Sequence, residues 1–487
     1  AAPRAGSNAW AAGGARTRDG HALLANDPHL DLTIPGLWYL EDLQAPGFHA
    51  AGASIPGTPG ILLGHNERIA WGATNADAVA NSLFAAPAAL PASGWKRERF
   101  RVRFSREAVR RYYRTADAFG VPDPYQRGRL TLVRWPALFE SHSAFAAFFA
   151  LDRARSAAQA MRVLARYRGT AENFVVADSG GNVAYHLAGN VPRDPAWGRY
   201  VHPARDWGQH YSRVAFGQLP AIAPARYALV LSANNKMYGA GYPYRLSATF
   251  DPPYRAYRIA QLLHQRRRYD AAYFAAMQLD AVSPIDRAFA RLLGARAAAD
   301  DDAPAHARVA RELRGWNGAF VPSSYAATVE HAVRARLEAD APSLPALLAQ
   351  LRQGDGASGI APDVGGALYA AGYETAPWGR AGAVRVEHPL APLRFGFLNG
   401  ATLPGNGDEY TIRLQEPGFS QSFRAVWEPG KWDAGGISIP SGESGEPGSG
   451  HYDDLSRAWI RGWLEPLPFS AAAVARATVD TLVLRPR

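Results

Sequence analysis

The hydrophobic period of this chain changes twice along its length, and the order of those changes restricts the fold more than any other feature. Up to about residue 235 the apolar residues come in short runs broken by glycine and proline, the pattern of strands joined by turns. Ala22–Asn26, Phe48–Ser54, Gly60–Leu63 and Arg68–Gly72 read as strands, separated by Asp27-Pro28, by Ile55–Gly60 and by His65-Asn66. Residues 130–135 continue the pattern. Asn173–Ala177 and Val183–Leu187 flank the glycine-containing turn Asp178–Asn182, a hairpin signal. Tyr227–Ser232 is a further strand that runs into Ala233-Asn234-Asn235. From Pro253 to about Arg352 the period becomes helical, carried by Tyr257, Ile259, Leu262–Leu263, Leu292–Leu293, Val309, Leu313, Val329, Val333 and Leu337. Strands return at Leu393–Leu398, Tyr410–Leu414, Phe423–Trp427 and Thr481–Leu484, with a Gly/Pro/Ser-rich loop, Ile437–Tyr452, between the last two. No internal repeat and no long polar linker interrupts the sequence. The β–α–β order therefore predicts one α+β body with a helical insertion at about residues 253–352. Length alone would have allowed about three domains of roughly 150 residues.

Composition removes whole classes of chemistry. The 487 residues include no cysteine, so there is no disulfide framework, thiolate nucleophile or Cys-ligated metal centre. No apolar run approaches the roughly 18 residues of a membrane span. The formal charge is +10, and nearly all the cations are arginine; the lysines are Lys96, Lys236 and Lys431. An abundance of Arg, Ala and Gly reads as GC-rich coding bias, so the charge is compositional rather than a sign of nucleic-acid binding, which needs a clustered stripe or stacking platform. Arginines bunch at Arg110–Arg114 and Arg266–Arg268, each in a helix-like segment with aromatics at core spacing.

Familiar local motifs are missing or out of context. Gly354-Asp355-Gly356-Ala357-Ser358-Gly359 matches the dinucleotide fingerprint, but a helical pattern precedes it where a strand is required, so it reads as a flexible turn. There is no GxSxG, HExxH, Walker or EF-hand sequence. Asp27, His29 and Asp31 alternate, but one histidine with two carboxylates is a weak zinc signal. A serine acting through its own chain terminus needs none of these motifs.

Gly6-Ser7-Asn8-Ala9-Trp10, followed by Leu23-Leu24-Ala25-Asn26-Asp27-Pro28-His29, resembles the start of the β chain in the penicillin acylase family, which includes acyl-homoserine lactone acylases. The resemblance runs on through Pro56-Gly57, Gly64-His65-Asn66, Ile69-Ala70-Trp71-Gly72, Asn173, Ala177-Asp178, Gly181-Asn182, Ala233-Asn234-Asn235 and Asp251–Arg258. It ends at Ser444–Ser449 and His451-Tyr452-Asp453-Asp454, so it spans almost the whole chain. It implies an N-terminal-nucleophile hydrolase with a four-layer αββα sandwich of two antiparallel sheets. It also implies a precursor that cuts itself before Ser7, leaving Ala1–Gly6 as a spacer remnant and residues 7–487 as the catalytic β chain. The freed serine supplies the nucleophilic hydroxyl and, through an α-amino group of unperturbed pKa about 7.7–8.0, the base.

The same resemblance assigns the other roles. The backbone N–H of Asn75 and the side-chain amide of Asn234 are the oxyanion donors, and Arg255 lies near the nucleophile's amine, where like charge favours the neutral form. Without the resemblance, Asn234 reads as a strand-terminating turn residue and Arg255 as a surface ion-pairing arginine. His29 falls where family members vary; it either orients the Ser7 amine or the attacking water, or is a buried structural histidine. Leu30, Leu62 and Leu63 align with the acyl-pocket lining, and core packing explains them equally well. Some members bind calcium just after the Trp-Gly turn. Here Val79 and Ser82 stand at two of the expected acidic positions, so neither a metal nor another cofactor is expected.

An α chain from the same precursor is the implied partner, with a periplasmic or secreted location. The implied reaction is hydrolysis of a linear amide through an acyl-serine, on β-lactam side chains, N-acyl-homoserine lactones or acylated cyclic peptides. The aliphatic Leu62 and Leu63 lean toward a fatty acyl chain. The competing reading is a non-catalytic or unprocessed homologue that acts as a binding protein.

Overall fold

The computed structural model describes residues 6–136, 144–193, 200–208, 212–299, 304–338, 344–353, 364–371 and 376–485. Its first strands, in chain order, are β1 (Gly6–Ala12), β2 (Leu23–Asp31), β3 (Tyr39–Ala45), β4 (Phe48–Ser54), β5 (Leu63–Asn66) and β6 (Ile69–Asn75). Next come β7 (Ser82–Ala85), β8 (Trp95–Phe100), β9 (Ala108–Tyr113), β10 (Ala118–Pro122) and β11 (Leu130–Arg134). After helices α1 (Ala144–Leu151) and α2 (Ala157–Leu164) follow β12 (Glu172–Asp178), β13 (Val183–Ala188), β14 (Val201–His202), β15 (Ala221–Ala225) and β16 (Leu229–Ser232). The helical stretch contains α3 (Tyr254–His264), α4 (Ala271–Gln278), α5 (Pro284–Ala299), α6 (Pro304–Arg314), α7 (Tyr325–Glu338), α8 (Leu344–Gln353) and α9 (Val364–Ala371). The last strands are short: β17 (Val384–Arg385), β18 (Thr402–Leu403), β19 (Gln415–Glu416), β20 (Phe419–Gln421), β21 (Arg424–Trp427), β22 (Gly436–Ser438) and β23 (Glu465–Pro466).

Two antiparallel sheets dominate. One runs β16-β1-β2-β21-β22-β23, with β20 also paired to β2; the other runs β15-β13-β12-β6-β5-β4-β3. Alternation along β1 sends Ala9 and Ala11 into the apolar layer shared with Leu24, Leu63, Ala70, Val175 and Trp427, contributed by both sheets. Trp10 and Ala12 point the other way, onto Ile259 and Leu263 of α3 and Phe274 of α4. Helices α1 and α2 pack on the second sheet through Leu151, Ala157 and Ala160 against Ile69, Trp71 and Val176. Helices α5–α9 share a core of their own, including Phe289, Leu293, Leu313, Val333 and Leu347.

The structure is mixed α and β, as the sequence suggests, and corrects several local readings. Asp27-Pro28 is not a turn: both lie inside β2, where Pro28 pairs with Ser7. A proline costs a strand one donor, yet the Pro28 carbonyl still accepts from Ser422 N at 2.8 Å and Ser422 Oγ at 3.0 Å. His65-Asn66 closes β5 rather than separating strands. Residues 391–398 form two short 3-10 turns instead of a strand, residues 410–414 have no strand, and Thr481–Leu484 is unpaired and exposed. Arg110–Arg114 is not helical: its first four residues end β9. Arg266–Arg268 is the turn after α3. Gly354–Gly359 lies outside the described residues.

Candidate active site

Ser7 sits on the central strand β1, buried, on the side that faces the second sheet. Its backbone N–H donates to Asn234 Oδ1 at 2.6 Å, and its hydroxyl bonds the Gly6 carbonyl oxygen. The Gly6–Ser7 peptide bond is in place in this chain, so the Ser7 nitrogen is an amide here.

Asn234 lies two residues beyond the end of β16 and is fully buried with φ +62°. That left-handed conformation is one asparagine tolerates better than most residues. It turns the side chain toward Ser7 at the moment the strand ends. Asn234 Nδ2 donates to the Asn75 carbonyl at 2.9 Å, so the two residues expected to hold an oxyanion are joined. A second bond set fixes their spacing. Thr74 Oγ1 meets Ser232 Oγ at 2.7 Å across the sheets, Asn173 Nδ2 donates to Thr74 Oγ1 at 3.1 Å, and Tyr185 OH donates to Asn173 Oδ1 at 2.6 Å.

Arg255 reaches the same point from α3. Only 3% exposed, it donates to Ser7 O at 3.0 Å, Asn8 Oδ1 at 2.8 Å, Asn234 Oδ1 at 3.0 Å and Asp251 Oδ2 at 2.7 Å. A guanidinium has donors and no acceptor. It therefore forces Asn234 to present Oδ1 inward and leaves the Asn234 NH2 for Asn75 or for a substrate oxygen. The surface ion-pair reading of Arg255 does not hold, because the side chain is buried and contacts three residues of the site besides Asp251.

His29 is brought close, but to the other side of the strand. It pairs with Gly6 in the β1–β2 register, and its Nε2 meets Asp27 Oδ2 at 2.9 Å and Asn8 Nδ2 at 3.2 Å. Alternation places Asn8, Asp27 and His29 on the helix-facing side, opposite the Ser7 side chain. Burial holds the imidazole below its ordinary pKa, so it is neutral at pH 7, and its Nδ1 has no hydrogen-bond partner among the described residues. A Cβ on Gly6 would lie 3.1 Å from that Nδ1. Gln278 and Gln421 complete this layer by donating to Asp27, at 3.2 and 2.8 Å. The sequence reading missed Asn8, Asp27, Gln278 and Gln421 as a group, because they come from three distant segments; only the polar run Asn26-Asp27 inside an apolar strand could have hinted at it.

Leu63 is buried and Leu30 and Leu62 are half-buried, all against the apolar layer between the sheets. They share that layer with the face of β1 that carries Ser7. Asn26 ties the sheets together there. Its Nδ2 donates to Asn8 O at 2.8 Å and Ala73 O at 3.0 Å, and its Oδ1 accepts from Ala73 N at 3.2 Å. Gly72 makes the room, since a Cβ on it would lie 2.8 Å from Asn26 Cβ, Cγ and Oδ1.

Val79 packs against the apolar cluster of Phe84, Tyr113 and Leu132, and the Ser82 hydroxyl is buried in β7. Asp77 and Asp251 do approach each other: burial, and then the Asp251 carboxylate, push Asp77 up to about 7. Arg255 already neutralises Asp251.

Two facing sheets with a serine, an amide pair and a buried guanidinium at the end of a central strand define the class, and sequence comparison agrees. The family model for penicillin amidase matches residues 1–476, so the chain belongs to the penicillin amidase family. Penicillin acylase 2 proenzyme of Pseudomonas sp. (strain SE83) is 25% identical over 99% of this chain and 69% of its own length. Acyl-homoserine lactone acylase QuiP of Pseudomonas aeruginosa is 28% identical over 57% of this chain and 36% of its own length. The fold matches that of the thermostable penicillin G acylase from Alcaligenes faecalis with a TM-score of 0.69 at 16% identity, covering 99% of this chain and 100% of that one.

Proposed function

We propose that this chain is the catalytic part of an amidohydrolase that cleaves linear amides through an acyl–Ser7 intermediate, after cleavage of the Gly6–Ser7 bond. The observation that carries the reading is the convergence of Ser7 N, Asn234 and Arg255 in one hydrogen-bonded group. In the proposed maturation, the Ser7 hydroxyl, already on the Gly6 carbonyl, attacks that carbon. The C–N bond breaks, the nitrogen leaves as the Ser7 α-amine, and water hydrolyses the ester. In turnover the amine accepts the hydroxyl proton as Oγ attacks the substrate carbonyl. Asn234 Nδ2 and the Asn75 N–H stabilise the oxyanion. The amine then returns the proton to the leaving nitrogen, and water releases the acyl group. Arg255 keeps Asn234 in the donating orientation and, as a cation beside the amine, favours its neutral form. His29, neutral and behind the strand, acts as a positioning residue for the Gly6–Ser7 segment.

The names of the relatives support two substrate classes, β-lactam side-chain amides and N-acyl-homoserine lactones. The packing of helices on the outer face of each sheet supports the four-layer αββα arrangement. Family membership supports an α chain from the same precursor as partner and an exported, periplasmic or secreted location. The apolar Val79 and the Arg255–Asp251 pair support a site that works without calcium. A panel of p-nitroanilides and homoserine lactones with graded acyl groups, run beside a Ser7→Ala variant, tests the reading. Acyl release that depends on Ser7 supports it; equal release by Ser7→Ala removes it.

A further inference from the structure

The +10 charge is not spread evenly. Residues 95–114 hold nine lysines and arginines against Glu98 and Glu107, which is +7 of the chain total. These residues form the β8–β9 hairpin, whose residues 96–100 and 109–112 are exposed on both faces. A coding bias would scatter arginine; it would not concentrate most of the excess charge in one projecting ribbon.

Most of the hairpin's charge is uncompensated, although Glu98 stands opposite Arg110 in the register. Arg97 and Arg111 stand directly opposite each other in the register, a like-charge pair that destabilises a two-stranded ribbon. Arg99 pairs with Glu107 at 3.1 Å. Among the described residues Arg97, Arg101, Arg103, Arg106, Arg110 and Arg111 form no ion pair. The tip is apolar as well as basic. Phe104 is 95% exposed at φ +60°, a backbone state that glycine or asparagine would fill more easily, and Phe100 and Val102 are exposed beside it. Nothing in the chemistry at Ser7 calls for this ribbon.

We propose that the β8–β9 hairpin docks this protein on an anionic phospholipid surface. Its arginines would meet headgroup phosphates, and Phe104, Phe100 and Val102 would enter the boundary between headgroups and acyl chains. The alternative polyanion, a nucleic acid, fits less well. Base stacking uses aromatic rings set along a basic groove; here the Trp95 ring is covered by the Arg111 guanidinium at 4.2 Å, Tyr113 is buried, and the exposed rings Phe100, Phe104 and Tyr112 stand on a ribbon exposed on both faces rather than along a groove. Phe100, Val102 and Phe104 gather at the tip, where they suit insertion, while Val109 and Tyr112 are exposed along β9.

The test is co-sedimentation of the full chain with vesicles of phosphatidylglycerol or of phosphatidylcholine at low and high salt. The expected result is binding to phosphatidylglycerol alone, weakened by salt. A juxtamembrane cation contributes about fivefold to partitioning. The variant Arg97→Gln/Arg101→Gln/Arg103→Gln/Arg111→Gln should therefore lose on the order of a hundredfold or more, with hydrolytic activity unchanged. Arg266→Gln/Arg267→Gln/Arg268→Gln removes three charges elsewhere and should retain most of the binding. A Phe104→Trp variant should show a blue-shifted emission on anionic vesicles. No binding to phosphatidylglycerol, an equal loss in the Arg266–Arg268 control, or tighter binding to DNA than to vesicles would each overturn the proposal.

Discussion

Replacing Arg255 with methionine keeps the length and apolar stem of the side chain and removes its head. Four contacts go with it: Ser7 O, Asn8 Oδ1, Asn234 Oδ1 and Asp251 Oδ2, at 2.7 to 3.0 Å. Hydrogen bonds to a charged group contribute about 1.5–3 kcal/mol each, but one of these, to the half-exposed Asp251, is replaced by water. The three buried acceptors then set the cost, and a loss of about 3–5 kcal/mol of stability is expected once relaxation and partial rehydration are allowed for. The kinetic effect is more specific. Without a donor-only partner on Oδ1, Asn234 can rotate its amide and turn an oxygen toward the oxyanion. Loss of one aimed donor costs about 10²–10³ in kcat, or roughly 2.7–4 kcal/mol. Acyl release measured at saturating p-nitroanilide, below the variant's unfolding temperature, should fall by that factor with KM little changed. Arg255→Lys should recover the charge but not the fork, and so remain well below the parent. If Arg255→Met keeps kcat within about threefold while Asn234→Ala does not, Arg255 does not set the Asn234 orientation.

Other expectations follow from single features. Gly72→Ala places a methyl 2.8 Å from three atoms of Asn26, so urea titration should show a loss of about 1–3 kcal/mol. Arg334, 2% exposed, is bound to Asp408 at 2.7 Å and close to Asp286 and Glu330. Arg334→Leu leaves these carboxylates without their cation, and a loss of about 3–5 kcal/mol is expected in the same assay, with no loss if the cluster is solvated. His65 is stacked on Trp432, and burial pushes its imidazole down to about 4. The unfolded chain takes up that proton near pH 6.5 and the folded chain only near 4. The unfolded state thus binds more protons between those values, and stability falls as pH drops through them, by up to about 3 kcal/mol from this group. His65→Phe should flatten that slope by up to one proton; unchanged slopes would exclude His65 as the source. Prolonged chelation with EDTA should leave acyl release unaltered, and a loss restored by calcium would contradict the proposal that the site works without calcium.

Much of the fold was legible where one physical signal acted alone. The β12–β13 hairpin matched its turn chemistry, and the helical period marked residues 254–353. The failures have physical causes. β1 is Gly-Ser-Asn-Ala-Trp-Ala-Ala, without a β-branched residue, and becomes a strand because sheets and helices cover both of its faces. Asp27-Pro28 looked like a turn, yet Pro28 sits within β2, its carbonyl satisfied by Ser422 N and Oγ. Residues 391–398 have strand-like residues but are exposed, so nothing pays for pairing. At the site, the resemblance named Ser7, Asn234 and Arg255, and the structure brings these three together. The side of the strand on which His29 lies was not readable, because it depends on register. The polar layer of Asn8, Asp27, Gln278 and Gln421 was not readable either, because it is assembled by tertiary packing.

In the proposed mechanism Ser7, freed at its own amine, is the nucleophile. The most direct measurement treats the active enzyme with a sulfonyl fluoride, digests it, and reads the labelled peptide by mass spectrometry. The expected product is a peptide that begins at Ser7 and carries one adduct on that serine, with activity lost in proportion to labelling. An active enzyme whose Gly6–Ser7 bond is intact, or whose adduct lies on another residue, would contradict it.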